Sequence, residues 1–181
     1  MQRRLFLTTT LSAVALLTMS RTSTLAKSIK MEGRMDTPER PEKKIPLSAD
    51  DLKKWNLSKD QWHTRLNPEQ FRVLREEGTE RAHSSPLDKE YGKGTYVCAG
   101  CALPLFKSDT KYDSGTGWPS FWDYISGHLD FKTDFKLVWP RKEYHCARCG
   151  GHQGHVFDDG PEPTGLRYCN NGVALKFIKE S

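Results

Sequence analysis

Five cysteines, all beyond residue 97, carry the reactive potential of this 181-residue chain, and their spacing divides them into two kinds. Cys98-Ala99-Gly100-Cys101 and Cys146-Ala147-Arg148-Cys149 form two C-x-x-C pairs with 44 residues between them. Two residues between cysteines let a tight turn aim both sulfurs at one ion. Four thiolates then complete a zinc tetrahedron and leave no position for a substrate. Gly100 inside the first turn, and Gly150 and Gly151 after the second, would relieve the crowding of a knuckle backbone. The pattern points to one structural Zn2+, with a disulfide pair or a C-x-x-C redox pair as competing uses of the same sulfurs. An odd number of cysteines cannot all be paired, so one thiol is left for chemistry.

That thiol is Cys169, in Leu166-Arg167-Tyr168-Cys169-Asn170-Asn171-Gly172. On a strand, Arg167, Cys169 and Asn171 would share one face. A guanidinium there lowers the thiol pKa and makes the sulfur nucleophilic; an inert cysteine in a core strand is the alternative. Upstream, Gly151-His152-Gln153-Gly154-His155-Val156-Phe157 offers two imidazoles able to supply a general acid and orient a substrate. They could equally be metal ligands or structural. The surrounding glycines argue against a helix and no glutamate follows His152, so this is not the helical H-E-x-x-H hydrolase site. A third cluster runs from Tyr112 to Trp122, where Gly115 and Gly117 flank Thr116 ahead of Trp118-Pro119. Such a loop would present an indole suited to a small apolar group such as an S-methyl, or else set a core tryptophan after a turn.

These residues need elements to hold them. Ser48 can cap a helical turn reaching Trp55, and Ser58 another carrying Trp62 and Leu66. Asn67-Pro68 starts a firmer helix that puts Phe71 and Leu74 on one face and stops at Gly78. From Tyr96 onward, short β-branched and aromatic runs alternate with turn residues, as at Tyr96-Val97, His128 to Phe131, Phe135 to Trp139 and Val173 to Ile178. The expected fold is mainly β and antiparallel, with short helices at its N-terminal edge. One core of about 130 residues fits the domain at 48–181.

Residues 1–26 read as an export leader. Arg3-Arg4-Leu5-Phe6-Leu7, a short apolar stretch and Thr24-Leu25-Ala26 resemble a twin-arginine signal, which implies a periplasmic destination. An ordinary secretory signal or an organelle transit peptide is the alternative. Residues 27–47 are charged, contain proline and lack periodicity, as in a flexible linker. The net charge of +5 is largely a property of the leader: three of the 28 Lys and Arg residues lie there, so 25 remain against 23 acidic ones. That near-balance disfavours a nucleic-acid partner. No apolar run reaches the roughly 18 residues of a membrane span, so no stable insertion is expected once the leader is removed.

Together the zinc pairs, Gly115-Thr116-Gly117-Trp118-Pro119-Ser120-Phe121, Gly151-His152-Gln153-Gly154-His155-Val156-Phe157-Asp158-Asp159-Gly160-Pro161 and Arg167-Tyr168-Cys169-Asn170-Asn171 closely resemble the methionine-R-sulfoxide reductase B family, from about Ser48 to Ile178. The resemblance implies two packed antiparallel sheets, a structural zinc on Cys98, Cys101, Cys146 and Cys149, and thiol-dependent reduction of protein-bound methionine R-sulfoxide. Cys169 matches the nucleophile, Trp118 the residue receiving the substrate methyl, and Arg167 the cation beside the nucleophile. His152, His155 and Asn171 match residues that hold the sulfoxide oxygen. Oxidised proteins would be the substrates and a thioredoxin-like or small thiol the reductant, with a monomer as the default. The chain departs from the family at Thr116, where many members carry a resolving cysteine, and at Asn170 and Gly172, where an aliphatic residue and a serine are common. The rival from another class is a zinc-knuckle protein-binding module, which would have no use for Cys169, His155 or Trp118.

Overall fold

The structure, a computed structural model, describes residues 47–134 and 141–181. The expected leader, nearly all of the linker and the expected strand at Phe135 to Trp139 lie outside the described residues. Leu47, assigned to the linker, packs against the hydrophobic core.

Three short helices open the described chain: α1 (Ala49–Lys54), α2 (Lys59–Arg65) and α3 (Pro68–Glu76). Each begins where a side-chain oxygen takes up an orphan amide. Ser48 accepts from Asp51, while Ser58 with Gln61 and Asn67 with Gln70 form reciprocal capping boxes. The stop of α3 differs from expectation by one residue. Glu77 takes the left-handed conformation, at φ 54°, and Gly78 follows with its N–H donating to the Arg72 carbonyl at 3.0 Å. Among the described residues no helix is long and apolar enough to cross a membrane.

Among the described residues nine strands follow in two antiparallel sheets: β1 (Gly94–Cys98), β2 (Pro104–Lys107), β3 (Lys111–Tyr112), β4 (Ser120–Phe121), β5 (Leu129–Asp134), β6 (Arg141–Cys146), β7 (His152–Phe157), β8 (Arg167–Asn170) and β9 (Leu175–Lys179). The smaller sheet has the order β2-β1-β9 and the larger β3-β4-β8-β7-β6-β5. Aromatic side chains fill the space between them. Phe106 of the small sheet stacks on Phe121 of the large one with ring centroids 4.1 Å apart, and Tyr96 meets Phe121 edge-on at 4.9 Å. The expected run at Val173 to Ile178 forms β9 from Leu175 onward, separate from the Cys169 strand. A 3-10 turn at Gly172–Ala174 carries the chain from β8 into the other sheet.

Candidate active site

The two C-x-x-C pairs close on one another. Cys98, Cys101, Cys146 and Cys149 are all buried, with their sulfurs within 4.8 Å of one another. The Cys98–Cys149 and Cys101–Cys146 separations are 3.7 and 3.4 Å. A tetrahedron with metal–sulfur bonds of about 2.3 Å has edges near 3.8 Å, whereas a disulfide needs about 2.05 Å. The donor set therefore fits a metal ion, and all five cysteines are free thiols. The two knuckles share one geometry. The N–H of Ala102 donates to the Cys98 carbonyl and that of Gly150 to the Cys146 carbonyl, each at 2.8 Å. Both of those residues are left-handed, at φ 59° and 66°. Relief of crowding thus falls on Ala102, the residue after the first pair, rather than on Gly100. Helix α3 covers the cluster: Arg75 donates to the Cys149 carbonyl at 3.0 Å, reaches its sulfur at 3.7 Å and lies over the Trp62 ring. Hydrogen bonds from the other three thiols, helped by Arg75, hold Cys149 below the usual thiol range, as suits a thiolate ligand.

Cys169 lies outside that cluster, on β8. Strand register places Tyr112, Ser120, Cys169, His155 and Glu143 in one row across five strands of the larger sheet. Residues directly opposite in antiparallel strands share a face. Tyr168 and Asn170, on the other face of β8, point into the core. Arg167 sits two residues from Cys169 on the same face, and two parallel 2.8 Å bonds to Asp159 tie its guanidinium. It also lies over the Phe157 ring at 4.3 Å.

The net electrostatic effect on Cys169 differs from expectation. Burial raises the thiol above its ordinary value, and Arg167 together with a hydrogen bond from Thr116 only partly offsets this. The guanidinium is visible two residues away in the sequence, whereas the desolvation comes from the packing of other strands. Thr116 belongs to a chain of hydroxyls, bonded to Ser114 at 2.8 Å, which bonds in turn to Ser120 at 2.8 Å. Burial pushes the nearby Tyr112 phenol up to about 12.

His152 reaches the site by an irregularity that alternation does not foretell. Three residues from His155, it would face the opposite side of a regular strand. The register shifts between Tyr144 and His145, opposite His152, and its ring ends 5.4 Å from that of His155. Behind it, Glu143 approaches His152 Nδ1 at 3.5 Å and His145 Nε2 at 3.0 Å. Glu143, His145 and His152 are close enough together to hold an ion. His145, however, already engages Glu143 through one ring nitrogen and the Gly150 carbonyl through the other.

Trp118 closes the other side. Gly115 and Gly117 are left-handed, at φ 71° and 84°. The left-handed backbone at Gly117 favours glycine, and a Cβ there would also displace the His83 ring. The indole is half-buried and donates to the Glu80 carbonyl at 3.2 Å. Asn171 does not continue β8 on the Cys169 face. It lies beyond the strand end, and its carboxamide accepts from the Glu80 N–H and donates to the Gln153 carbonyl, both at 2.9 Å.

Two of the three departing positions, Asn170 and Gly172, are explained by their neighbours. Asn170 is fully buried, accepts from the Tyr144 hydroxyl at 2.9 Å and donates to Gln153 Oε1 at 3.5 Å; Gln153 donates to Cys98 Sγ at 3.4 Å. A Cβ on Gly172 would collide with Ser85 Oγ and Cβ, so this chain has no room for a serine there. Three acidic residues not foreseen as site residues, Glu80, Glu143 and Asp159, complete the surroundings. Asp159 alone had a local signal, as an acid at the end of the histidine segment facing the one arginine of the nucleophile strand.

The chain is similar to several known proteins. The SelR domain matches residues 66–179, more than half of the chain. The peptide methionine sulfoxide reductase MsrB of Leptospira interrogans is 54% identical over 126 residues, 69% of this chain and 96% of that protein. That of Methanosarcina mazei is 53% identical over 124 residues, covering 68% and 89%. The chloroplastic peptide methionine sulfoxide reductase B1 of Arabidopsis thaliana is 40% identical over 166 residues, 91% of this chain and 81% of that protein.

Proposed function

The chain belongs to the methionine-R-sulfoxide reductase B family and is a peptide-methionine (R)-S-oxide reductase, and from that premise we propose that Cys169 is the sulfur that accepts the oxygen. The carrying observation is the row that sets Cys169 directly opposite His155, beside Ser120 and two residues from the Asp159-bound Arg167. A sulfoxide oxygen leaves only when protonated, while its sulfur is electrophilic. A half-buried thiol with a raised pKa keeps its proton until substrate arrives. His155, with His152 beside it, passes a proton to the sulfoxide oxygen as Cys169 attacks the sulfur. The transient S–S bond made by this attack breaks as the hydroxyl passes to Cys169, so one S–O bond breaks and one forms. The proton that Cys169 gives up replaces the one lost from His155. Methionine sulfur gains two electrons, and Cys169 loses two and becomes a sulfenic acid. The developing charge at Cys169 meets Arg167 and the Thr116 hydroxyl, and Trp118 receives the methyl group.

Thr116 cannot resolve the sulfenic acid, and the other four thiols belong to the buried cluster. An external thiol, small or thioredoxin-like, therefore attacks Cys169 and releases water. A second equivalent attacks the external sulfur of that mixed disulfide, forms the oxidised external disulfide and expels Cys169 as the restored thiol. In the cluster, Cys98, Cys101, Cys146 and Cys149 would hold one zinc ion, which ties β1 and β6 together when bound and takes no part in the reaction. Export by the Arg3-Arg4 leader would bring the folded, metal-loaded enzyme to the periplasm; replacing both arginines by lysine should retain it in the cytoplasm.

The test uses the separate sulfoxide epimers with dithiothreitol and thioredoxin as alternative reductants. The R epimer should be turned over and Cys169→Ser should be inactive on it. Without reductant, the enzyme should yield one methionine per chain and a Cys169 sulfenic acid that reacts with a cyclic diketone. A Cys169 disulfide to a cluster cysteine, with metal released, would refute the external-thiol route.

A further inference from the structure

Resting on the reading of Trp118 as the residue that receives the substrate methyl, we propose that Glu80 is a positioning residue that fixes this indole relative to the Cys169 strand. Glu80 lies in the loop after α3 and is buried. All of its polar groups are engaged by the two walls of the site. Its backbone carbonyl accepts the Trp118 indole N–H at 3.2 Å, and its backbone N–H donates to Asn171 Oδ1 at 2.9 Å. Its carboxylate oxygens accept from the N–H groups of Gly172 at 2.6 Å and Val173 at 2.8 Å. A single residue therefore bridges the loop bearing Trp118 and the turn that leaves β8 just beyond Cys169. The same loop is pinned again where the His83 N–H donates to the Gly117 carbonyl at 2.7 Å.

The side-chain chemistry explains why a carboxylate is placed there. Two convergent backbone donors call for two acceptor oxygens, and charge-assisted bonds are the stronger kind. Burial works against the ionised form, and the two amides work for it. A glutamine would keep one acceptor and turn its NH2 toward a backbone N–H, so one bond is lost and two donors face each other. An aspartate, shorter by a methylene, would draw the loop from the turn. Either change frees the backbone of residue 80, and with it the carbonyl that orients the indole.

A double-mutant cycle tests the assignment, using the full chain with metal bound. Wild type, Glu80→Gln, Trp118→Phe and the double variant are compared for KM and kcat on a methionine-R-sulfoxide peptide with dithiothreitol. Cys169 alkylation by iodoacetamide and the Trp118 indole N–H resonance, assigned from its loss in Trp118→Phe, are followed in parallel. Glu80→Gln should raise KM about tenfold with a smaller change in kcat. It should shift the indole resonance and leave the alkylation rate near that of the wild type. In the Trp118→Phe background the same substitution should add little, because the clamped N–H is already gone. Additive effects or an unmoved resonance would overturn the role of Glu80 while leaving that of Trp118 standing. A wild-type KM in Trp118→Phe would overturn the methyl-site reading and this inference with it. Should Glu80→Gln not fold, hydrogen exchange of the indole N–H in the wild type decides: the clamp requires protection, and exchange at the rate of a free indole refutes it.

Discussion

Five chemically identical side chains meet two different fates in this molecule, and their surroundings account for the difference. In the knuckles each sulfur has three others within 4.8 Å, the backbone turns tightly around them, and α3 with Arg75 shuts the cluster from above. Such sulfurs can satisfy one another and hold a metal, which leaves none of them for a substrate. Cys169 is half-buried on a sheet face opposite an imidazole, with one cation and one hydroxyl beside it. Isolation from other thiols makes it available. Incomplete burial makes it reachable.

The sharpest way to break this division is to remove one sulfur from each region. Cys169→Ser should lower kcat by at least about a thousandfold, with metal content and melting temperature unchanged. Metal loss or unfolding in that variant would mean that Cys169 belongs to the structural set. Cys146→Ser, or treatment with a strong chelator, should act in the opposite sense. Metal is lost, and the melting temperature falls by at least about 10 °C, because binding free energy at such a site is folding free energy. Full stability of the metal-free enzyme in a calorimetric scan would overturn the structural role.

Asp159→Asn probes the electrostatics of the reactive region. The bidentate pair to Arg167 is lost, leaving the guanidinium less firmly placed beside Cys169. We expect kcat/KM to fall about 10- to 100-fold with little change in stability, since Asp159 is itself largely exposed. An unchanged kcat/KM would show that Arg167 holds its place through Phe157 alone.

A milder effect appears in pH dependence. The folded-state pKa of Cys169 is raised, so its thiolate fraction at neutral pH is below that of an ordinary thiol. Alkylation of the substrate-free enzyme should be slow at pH 7 and quicken with each step in pH until the raised value is passed. The thiol's contribution to stability carries the same sign: complete below the unfolded pKa and lost as pH climbs through the folded one. Thr116→Val removes a bond that favours the anion and should move the profile further upward. A plateau reached below the ordinary thiol range in stopped-flow alkylation would contradict the dominance of burial.

Much of the division was legible in the sequence because covalent spacing writes it there. C-x-x-C fixes the distance between paired sulfurs locally, so the metal cluster could be assigned before any fold was known. Helix starts at Ser48, Ser58 and Asn67 were equally local, each set by a side chain bonding an amide three residues on. What could not be read depends on contacts distant along the chain. The bulge that turns His152 toward His155 arises from pairing with β6. Glu80 acquires its role only when the loop after α3 meets residues 171–173, some ninety positions later. The pKa of Cys169 is illegible in the sequence for the same reason: its cationic neighbour lies two residues away, whereas its burial is supplied by other strands.

The smallest test asks what replaces the metal in holding the reactive strand. Beyond Cys169, the chain crosses between sheets at Gly172, where Ser85 approaches too closely for any Cβ. Gly172→Ala should therefore destabilise the protein by about 1–3 kcal/mol through overpacking. Ser85→Gly alone should cost less, chiefly through the bond that Ser85 Oγ accepts from the Leu87 N–H at 3.2 Å. Combined, the two changes should cost less than their sum, because the methyl then enters the space the serine vacated. Urea midpoints for the four proteins measure the coupling, and strict additivity would show that the turn relaxes freely. Metal content should stay constant throughout, since this turn is held by packing where the knuckles are held by thiolates.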